Sequence, residues 1–288
     1  MSDWMRCPAR RTLYESRRAL TAESSSGDPA DLRVCIGEGD LPGHVELVWH
    51  GVNDRANLRH FLASPVPWGE CDVRRDRRGR LALRHDAFGE ATEHAPGDGP
   101  AQALMAEEFV RAAVAAGKGI KLDIKQGDIL DELVALVDRV GVGERTLWFN
   151  GRVDVLGADG VRRLRRAWPD VTVQCPIDAL AAAMVAAPGR ARAAVGELAS
   201  WGVDRFSLAW GTTDLALVLD RLDDWGHDVN IYAVENLDDF LRAVLLLPRS
   251  VTADFNFPEW HYFGRGAGRD GRYHRYYLDP APAAADVA

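Results

Sequence analysis

From residue 44 onward, short apolar runs alternate with longer stretches of helical periodicity, which predicts strands and helices in turn. HVELVWH (44–50) reads as a strand, and NDRANLRHFLAS (53–64) as a helix with Asn53 or Asp54 as its N-cap. WGECDV (68–73) is a second strand, after which RRDRRGR turns the chain into an extended return segment, LALRH. AQALMAEEFVRAAVAAG (101–117) predicts a helix ended by Gly117. GIKLDIK (119–125) predicts a strand, and DILDELVALVDRVG (128–141) an amphipathic helix with Asp128 as N-cap. The strand TLWFN (146–150), the helix ADGVRRLRRAW (158–168) and the strand VTVQC (171–175) follow. A helical region interrupted at Pro188-Gly189 leads to RFSLAW (205–210), TDLALVLDRLDDWG (213–226) and VNIYAV (229–234). LDDFLRAVLLL (237–247) ends at Pro248, and SVTADFNF (250–257) closes the series.

Eight strands with helices between them favour a closed parallel (β/α)₈ barrel, the TIM-barrel class, over an open doubly wound sheet. No glycine-rich nucleotide loop follows the first strand, which weakens the open-sheet alternative. Residues 1–40 are expected to be a partly flexible N-terminal extension, 41–275 a single barrel domain, and 276–288 a disordered tail rich in Pro and Ala.

Composition changes this picture little. The chain has 288 residues, enough for one barrel, with 47% hydrophobic and 27% charged residues as in ordinary globular proteins. Its net charge of −8 argues against broad binding to a nucleic-acid duplex. No apolar run approaches the length of about 20 residues that spans a bilayer, and the N-terminus has no apolar core of a secretory signal. The four cysteines (Cys7, Cys35, Cys71, Cys175) lack metal-binding spacing and are expected as reduced thiols in a cytoplasmic protein.

Chemistry in a barrel gathers at the C-terminal ends of its strands. Those ends carry His50, the Glu70/Asp72 pair, Asp123 with Lys125, Asn150 and Asn256. Strand ends also meet water, so Asn150 and Asn256 taken alone read as solvated. Glu70 and Asp72 stand at i and i+2, on one face of a strand. Two carboxylates so placed repel unless a proton or cation lies between them, and Mg²⁺ or Ca²⁺ prefers such oxygen ligands. Asp123 and Lys125 repeat the spacing, with Lys121 on the same face. Asp123 is a candidate third ligand and Lys125 a compact charge for an anion; an internal salt bridge between Asp123 and a lysine is the other reading, and both can hold together. His50 and His85 are the histidines placed to serve as a general acid and base.

The run ECDVRRDRRGRLALRHD (70–86) resembles the glycerophosphodiester phosphodiesterases: a Glu-x-Asp strand, a Gly-containing turn, a return strand and His-Asp. His50-Gly51, KLDIK, VNIYAVEN and SVTADFNFP extend the similarity over roughly 44–260. Within that phospholipase C-like superfamily, WHGVN, ECDV, GIKLDIK, TLWFN and AWPDVTV resemble the menorin family more closely, and sphingomyelinase D shares an aspartate in the third-strand motif. The resemblance implies one divalent cation held by Glu70, Asp72 and Asp123, acid/base catalysis by His50 and His85, and phosphate contact by Lys125. Asn53, Lys121 and Asn150 complete the expected substrate-binding set. Two departures stand out: Gly51 follows the first histidine where most phosphodiesterases carry an arginine, and Asp123 replaces their glutamate.

Two functions compete on this reading. One is metal-dependent hydrolysis, or lyase cleavage to a cyclic phosphate, of a small phosphodiester. The other is a menorin-like non-catalytic barrel that binds an anionic ligand or a partner protein.

Overall fold

The computed structural model describes residues 42–88, 104–235 and 237–253, with four short strands between 255 and 275. The expectations for 1–40 and 276–288, and for the Asn256 side chain, lie outside the described residues.

The chain runs β1 (Glu46–Trp49), α1 (Arg55–Ala63), β2 (Trp68–Arg75), β3 (Leu81–Leu83), α2 (Ala106–Ala115), β4 (Gly119–Ile124), α3 (Leu130–Val140), β5 (Leu147–Gly151) and α4 (Val153–Ala167). It continues through β6 (Thr172–Pro176), α5 (Asp178–Ala186), α6 (Pro188–Trp201), β7 (Arg205–Ala209), α7 (Leu215–Asp224), β8 (Asp228–Val234), α8 (Leu237–Leu245) and β9 (Ser250–Ala253). Eight of these strands are parallel neighbours in the order β1-β9-β8-β7-β6-β5-β4-β2, and β1 also pairs with β2, closing the cylinder. The expected (β/α)₈ barrel is therefore the fold. β3 is the return segment, antiparallel to β2 with Val73 opposite Leu83. Among the described residues, no helix is long and apolar enough to cross a membrane.

Strand periodicity sorts the side chains into two regions. In β4, Ile120, Leu122 and Ile124 join the apolar layer under the helices. Lys121 instead reaches Thr252 Oγ1 on β9 at 2.9 Å. β4 and β9 share no ladder, so this bond crosses the barrel interior. Arg205 on β7 likewise crosses to Glu46 on β1 at 2.7 Å. Its guanidinium lies 4.3 Å from the centre of the Trp148 ring, and Lys121 Nζ lies 4.6 Å from it. The interior is thus charged and aromatic, and the apolar core is the shell between strands and helices.

Local capping meets expectation at α1 and departs from it at α3. Asp54, not Asn53, caps α1 by accepting from Ala56 N and Asn57 N. α3 has no side-chain cap and opens from a 3₁₀ turn, Gly127–Ile129. Asp128 lies inside that turn, where it pairs with Arg75 at 2.5 Å. α4 begins earlier than periodicity suggested, with one turn before a break at Gly157. That turn is too short to show a repeat in the sequence.

Phe61 ties three elements together. It is fully buried, meets Trp49 edge-on at 6.1 Å and Phe109 at 6.4 Å, and lies where a Cβ on Gly69 would stand, 2.6 Å away. Gly69 is what lets α1 approach β2. Phe61→Ala should therefore destabilise the fold by about 3–5 kcal/mol, read as a lower urea midpoint with the m-value kept.

Candidate functional site

β2 and β4 set the geometry. Their register places Glu70 beside Lys121 and Asp72 beside Asp123. Carboxylate oxygens of Glu70, Asp72 and Asp123 lie within 4.8 Å of one another. Glu70 and Asp72 are buried at 3% and 1% exposure, while Asp123 is partly open. The sequence spacing put two acids on one face; the ladder brings the third to them.

The end of β1 completes one wall. Gly51 has φ 67°, a conformation glycine adopts without steric cost. Its N–H donates to Glu70 Oε2 at 2.8 Å, and Val52 N–H donates to the Glu70 carbonyl at 2.7 Å. Asn57 Nδ2 donates to the Gly51 carbonyl at 3.0 Å while its Oδ1 accepts from Trp49 Nε1 at 3.1 Å. Asn53 is buried and fully engaged: Nδ2 donates to Asp72 Oδ2 at 2.5 Å, and Oδ1 accepts from Asp72 N–H at 2.9 Å. It orients a carboxylate, which differs from the substrate contact expected of it.

Charges are balanced in part by Lys125, whose Nζ pairs with Asp72 Oδ1 at 2.8 Å and with Asp123 Oδ2. The salt bridge between Asp123 and a lysine, one of the two expectations for this strand, is therefore present. Burial opposes ionisation of Asp72, but Lys125, then His85 and His50, outweigh it and hold this carboxyl well below its usual range. Glu70 goes the other way. Burial first, then the Asp72 charge, push it up to about 7 despite His50. Both histidines are thus close enough to act electrostatically on the cluster. His85 Nδ1 lies 2.8 Å from Asp86 Oδ1, and Arg74 Nε donates to the His85 carbonyl at 2.8 Å.

The remaining expected residues are deeper or to the side. Lys121 is buried at 2% exposure and bonded to Thr252, one layer below the mouth. Burial lowers its ammonium to about 8. Asn150 neighbours Asp123 in register, and its Oδ1 accepts from Gln174 Nε2 at 2.7 Å.

Several groups had no assigned role in the sequence reading. Asp86 is the partner of His85, and its adjacency was the available signal. Asn57 looked like an ordinary helical residue. Asp178 accepts from Tyr232 Oη and from Ala209 N–H, each at 2.7 Å. Those bonds join the start of α5 to β8 and to the end of β7, and have no local sequence mark.

No protein-family model matches the chain, and no curated protein does. Solved structures do. The chain is similar to a glycerophosphodiester phosphodiesterase from Agrobacterium tumefaciens, with TM-score 0.53, 14% identity, and 73% of this chain and 96% of that one covered. A second A. tumefaciens protein, provisionally assigned as a glycerophosphoryl diester phosphodiesterase, gives TM-score 0.60 at 13% identity, covering 73% of this chain and 94% of that one. A glycerophosphoryl diester phosphodiesterase from Parabacteroides distasonis gives 0.51 at 14%, covering 76% and 88%. At these identities the likeness establishes the barrel fold.

Two predictions follow from the geometry. Gly51→Ala strains a left-handed backbone and should cost about 1–2 kcal/mol, measured by chemical unfolding. For Glu70, a folded value of about 7 against an ordinary 4.5 means the folded state keeps a proton that the unfolded chain has released. Its contribution is complete below the unfolded value and is lost as pH rises through the folded one. In EDTA, wild type should therefore lose stability relative to Glu70→Gln between pH 4.5 and 7. Parallel stability profiles for the two proteins would contradict this.

Proposed function

We propose that this chain is a divalent-cation-dependent phosphodiester hydrolase or lyase of the glycerophosphodiester phosphodiesterase-like superfamily. The observation that carries the reading is the convergence of Glu70, Asp72 and Asp123 within 4.8 Å at the barrel mouth, with His50 and His85 beside them. Three carboxylates form the hard-oxygen donor set that suits Mg²⁺ or Ca²⁺. Glu70 is buried beside two further carboxylates, Asp72 and Asp123, and is pushed up to about 7, which fits a cation there. When bound, the cation neutralises charge developing on phosphate oxygens.

The chain's own residues supply the rest. One histidine takes the proton of the attacking hydroxyl, belonging either to water or to the substrate itself, and the other protonates the leaving alkoxide. A substrate hydroxyl as nucleophile yields a cyclic phosphate. Asp86 at His85 Nδ1 holds the ring in one orientation. Lys125, which pairs with Asp72 and Asp123, would offer the phosphate a compact charge. The Gly51 N–H and Asn53 hold Glu70 and Asp72 in place. The motifs WHGVN, ECDV, GIKLDIK and TLWFN support a place in the menorin branch, and we read the protein as cytoplasmic and acting on a small phosphodiester.

The ion pairs of Lys125 with both Asp72 and Asp123 favour a second reading. They offset part of the cluster's charge without a metal, which suits a non-catalytic barrel binding an anionic ligand or a partner protein.

A panel of small phosphodiesters assayed with EDTA, Mg²⁺ or Ca²⁺ separates the two. Cleavage should require the cation, and His50→Ala or Glu70→Gln should each lower it by about 10²–10⁴-fold. Activity unchanged in both variants would overturn the enzymatic reading. A bound cation and phosphate ligand without turnover would favour the second.

A further inference from the structure

The turn between β2 and β3 carries an arginine run at odds with the acidic chain around it. Arg74, Arg75, Arg77, Arg78, Arg80 and Arg84 lie close together in a protein of net charge −8. Beside them is a cavity of about 210 Å³ whose walls include Arg74, Arg75, Asp76, Arg77, Phe88 and Gln126. That volume equals about seven waters. Its wall segments continue from site residues: Arg74 is two beyond Asp72, Phe88 three beyond His85, and Gln126 next to Lys125. The cavity is therefore rooted in the ends of β2 and β4, which carry the carboxylate cluster, and in the segment after β3 that carries His85.

The wall's charges are not all committed within the protein. Asp76 is saturated, accepting from Arg78 N–H and Arg80 N–H at 2.8 Å and from Arg80 Nε at 2.9 Å. Arg75 is taken up by Asp128 at 2.5 Å and Glu132 at 2.7 Å. Arg74 gives only its Nε, to the His85 carbonyl at 2.8 Å, which leaves its terminal nitrogens as donors. Arg77 is exposed and has no carboxylate partner among the described residues. Gln126 accepts from Arg75 N–H at 2.8 Å through Oε1, leaving its amide nitrogen as a donor. Two guanidinium groups and an amide around one small cavity form a donor set for a tetrahedral oxyanion, which arginine binds with paired N–H groups.

We propose that this cavity is a subsite for a phosphate-class oxyanion, separate from the carboxylate cluster and dependent on Arg74 and Arg77. It accepts free phosphate or the terminal phosphate of a small phosphorylated ligand. The subsite requires no turnover at the barrel mouth, so either reading can fail while the other stands.

Titration with inorganic phosphate in EDTA, followed by calorimetry or NMR, tests it. Wild type should bind one phosphate saturably, more weakly as NaCl rises. Arg77→Gln should weaken binding several-fold, and Arg74→Gln/Arg77→Gln about tenfold or more. Glu70→Gln should leave it unchanged. Tighter binding of glycerol 3-phosphate than of inorganic phosphate assigns the subsite to a ligand's terminal group, and equal binding to the free ion. The proposal is overturned by absence of saturable binding in wild type, by wild-type affinity in the double variant, or by loss of binding in Glu70→Gln. Should the double variant fail to fold, exposed Arg77→Gln decides alone, and wild-type affinity in it overturns the proposal.

Discussion

β1 is only four residues long, yet it pairs with β2 on one side and β9 on the other. Without both ladders the sheet would stay open. With them, the chain leaving β1 must pass over the end of β2, and there Gly51 turns its N–H onto Glu70. The next residues repeat the theme: Val52 bonds the Glu70 backbone and Asn53 grips Asp72 from both ends of its amide. Closure of the barrel and preparation of its carboxylates are therefore one structural event. His50 reaches the cluster for the same reason.

The second constraint is electrostatic. Glu70, Asp72 and Asp123 crowd together where little water reaches the first two, and like charges in such surroundings cannot all ionise freely. The protein answers unevenly. Asp72 has Lys125 against it and stays ionised, whereas burial and the Asp72 charge push Glu70 up to about 7. This difference gives the mouth a place for one further positive charge. At the start of β1, Glu46 pairs with Arg205 and with Arg249, at 2.7 Å in each case, a separate charged group away from the carboxylate cluster.

The arginine-rich turn after β2 adds a third feature at the same rim. Its backbone is fixed by Asp76, and Arg75 fastens it to the start of α3 through Asp128 and Glu132. Anchoring by these two pairs leaves Arg74 and Arg77 as the cations of the cavity wall.

Much of this was legible in the sequence because it rests on local periodicity. Alternation of apolar strands with amphipathic helices determined the eight parallel strands and the antiparallel return segment. The i, i+2 spacing determined that Glu70 and Asp72 share a face, and likewise Asp123 and Lys125. Tertiary structure decided what depends on contacts across the sheet. The β2–β4 register brought Asp123 to the other acids, and the bond from Lys121 to Thr252 sent that lysine into the interior rather than to the mouth. Asp54 caps the helix while Asn53 clamps the Asp72 carboxylate, a contact across the sheet that the local sequence does not show. Which acid is ionised was also beyond the sequence, since it depends on burial and on which cation lies nearest, and both are set only when the barrel closes.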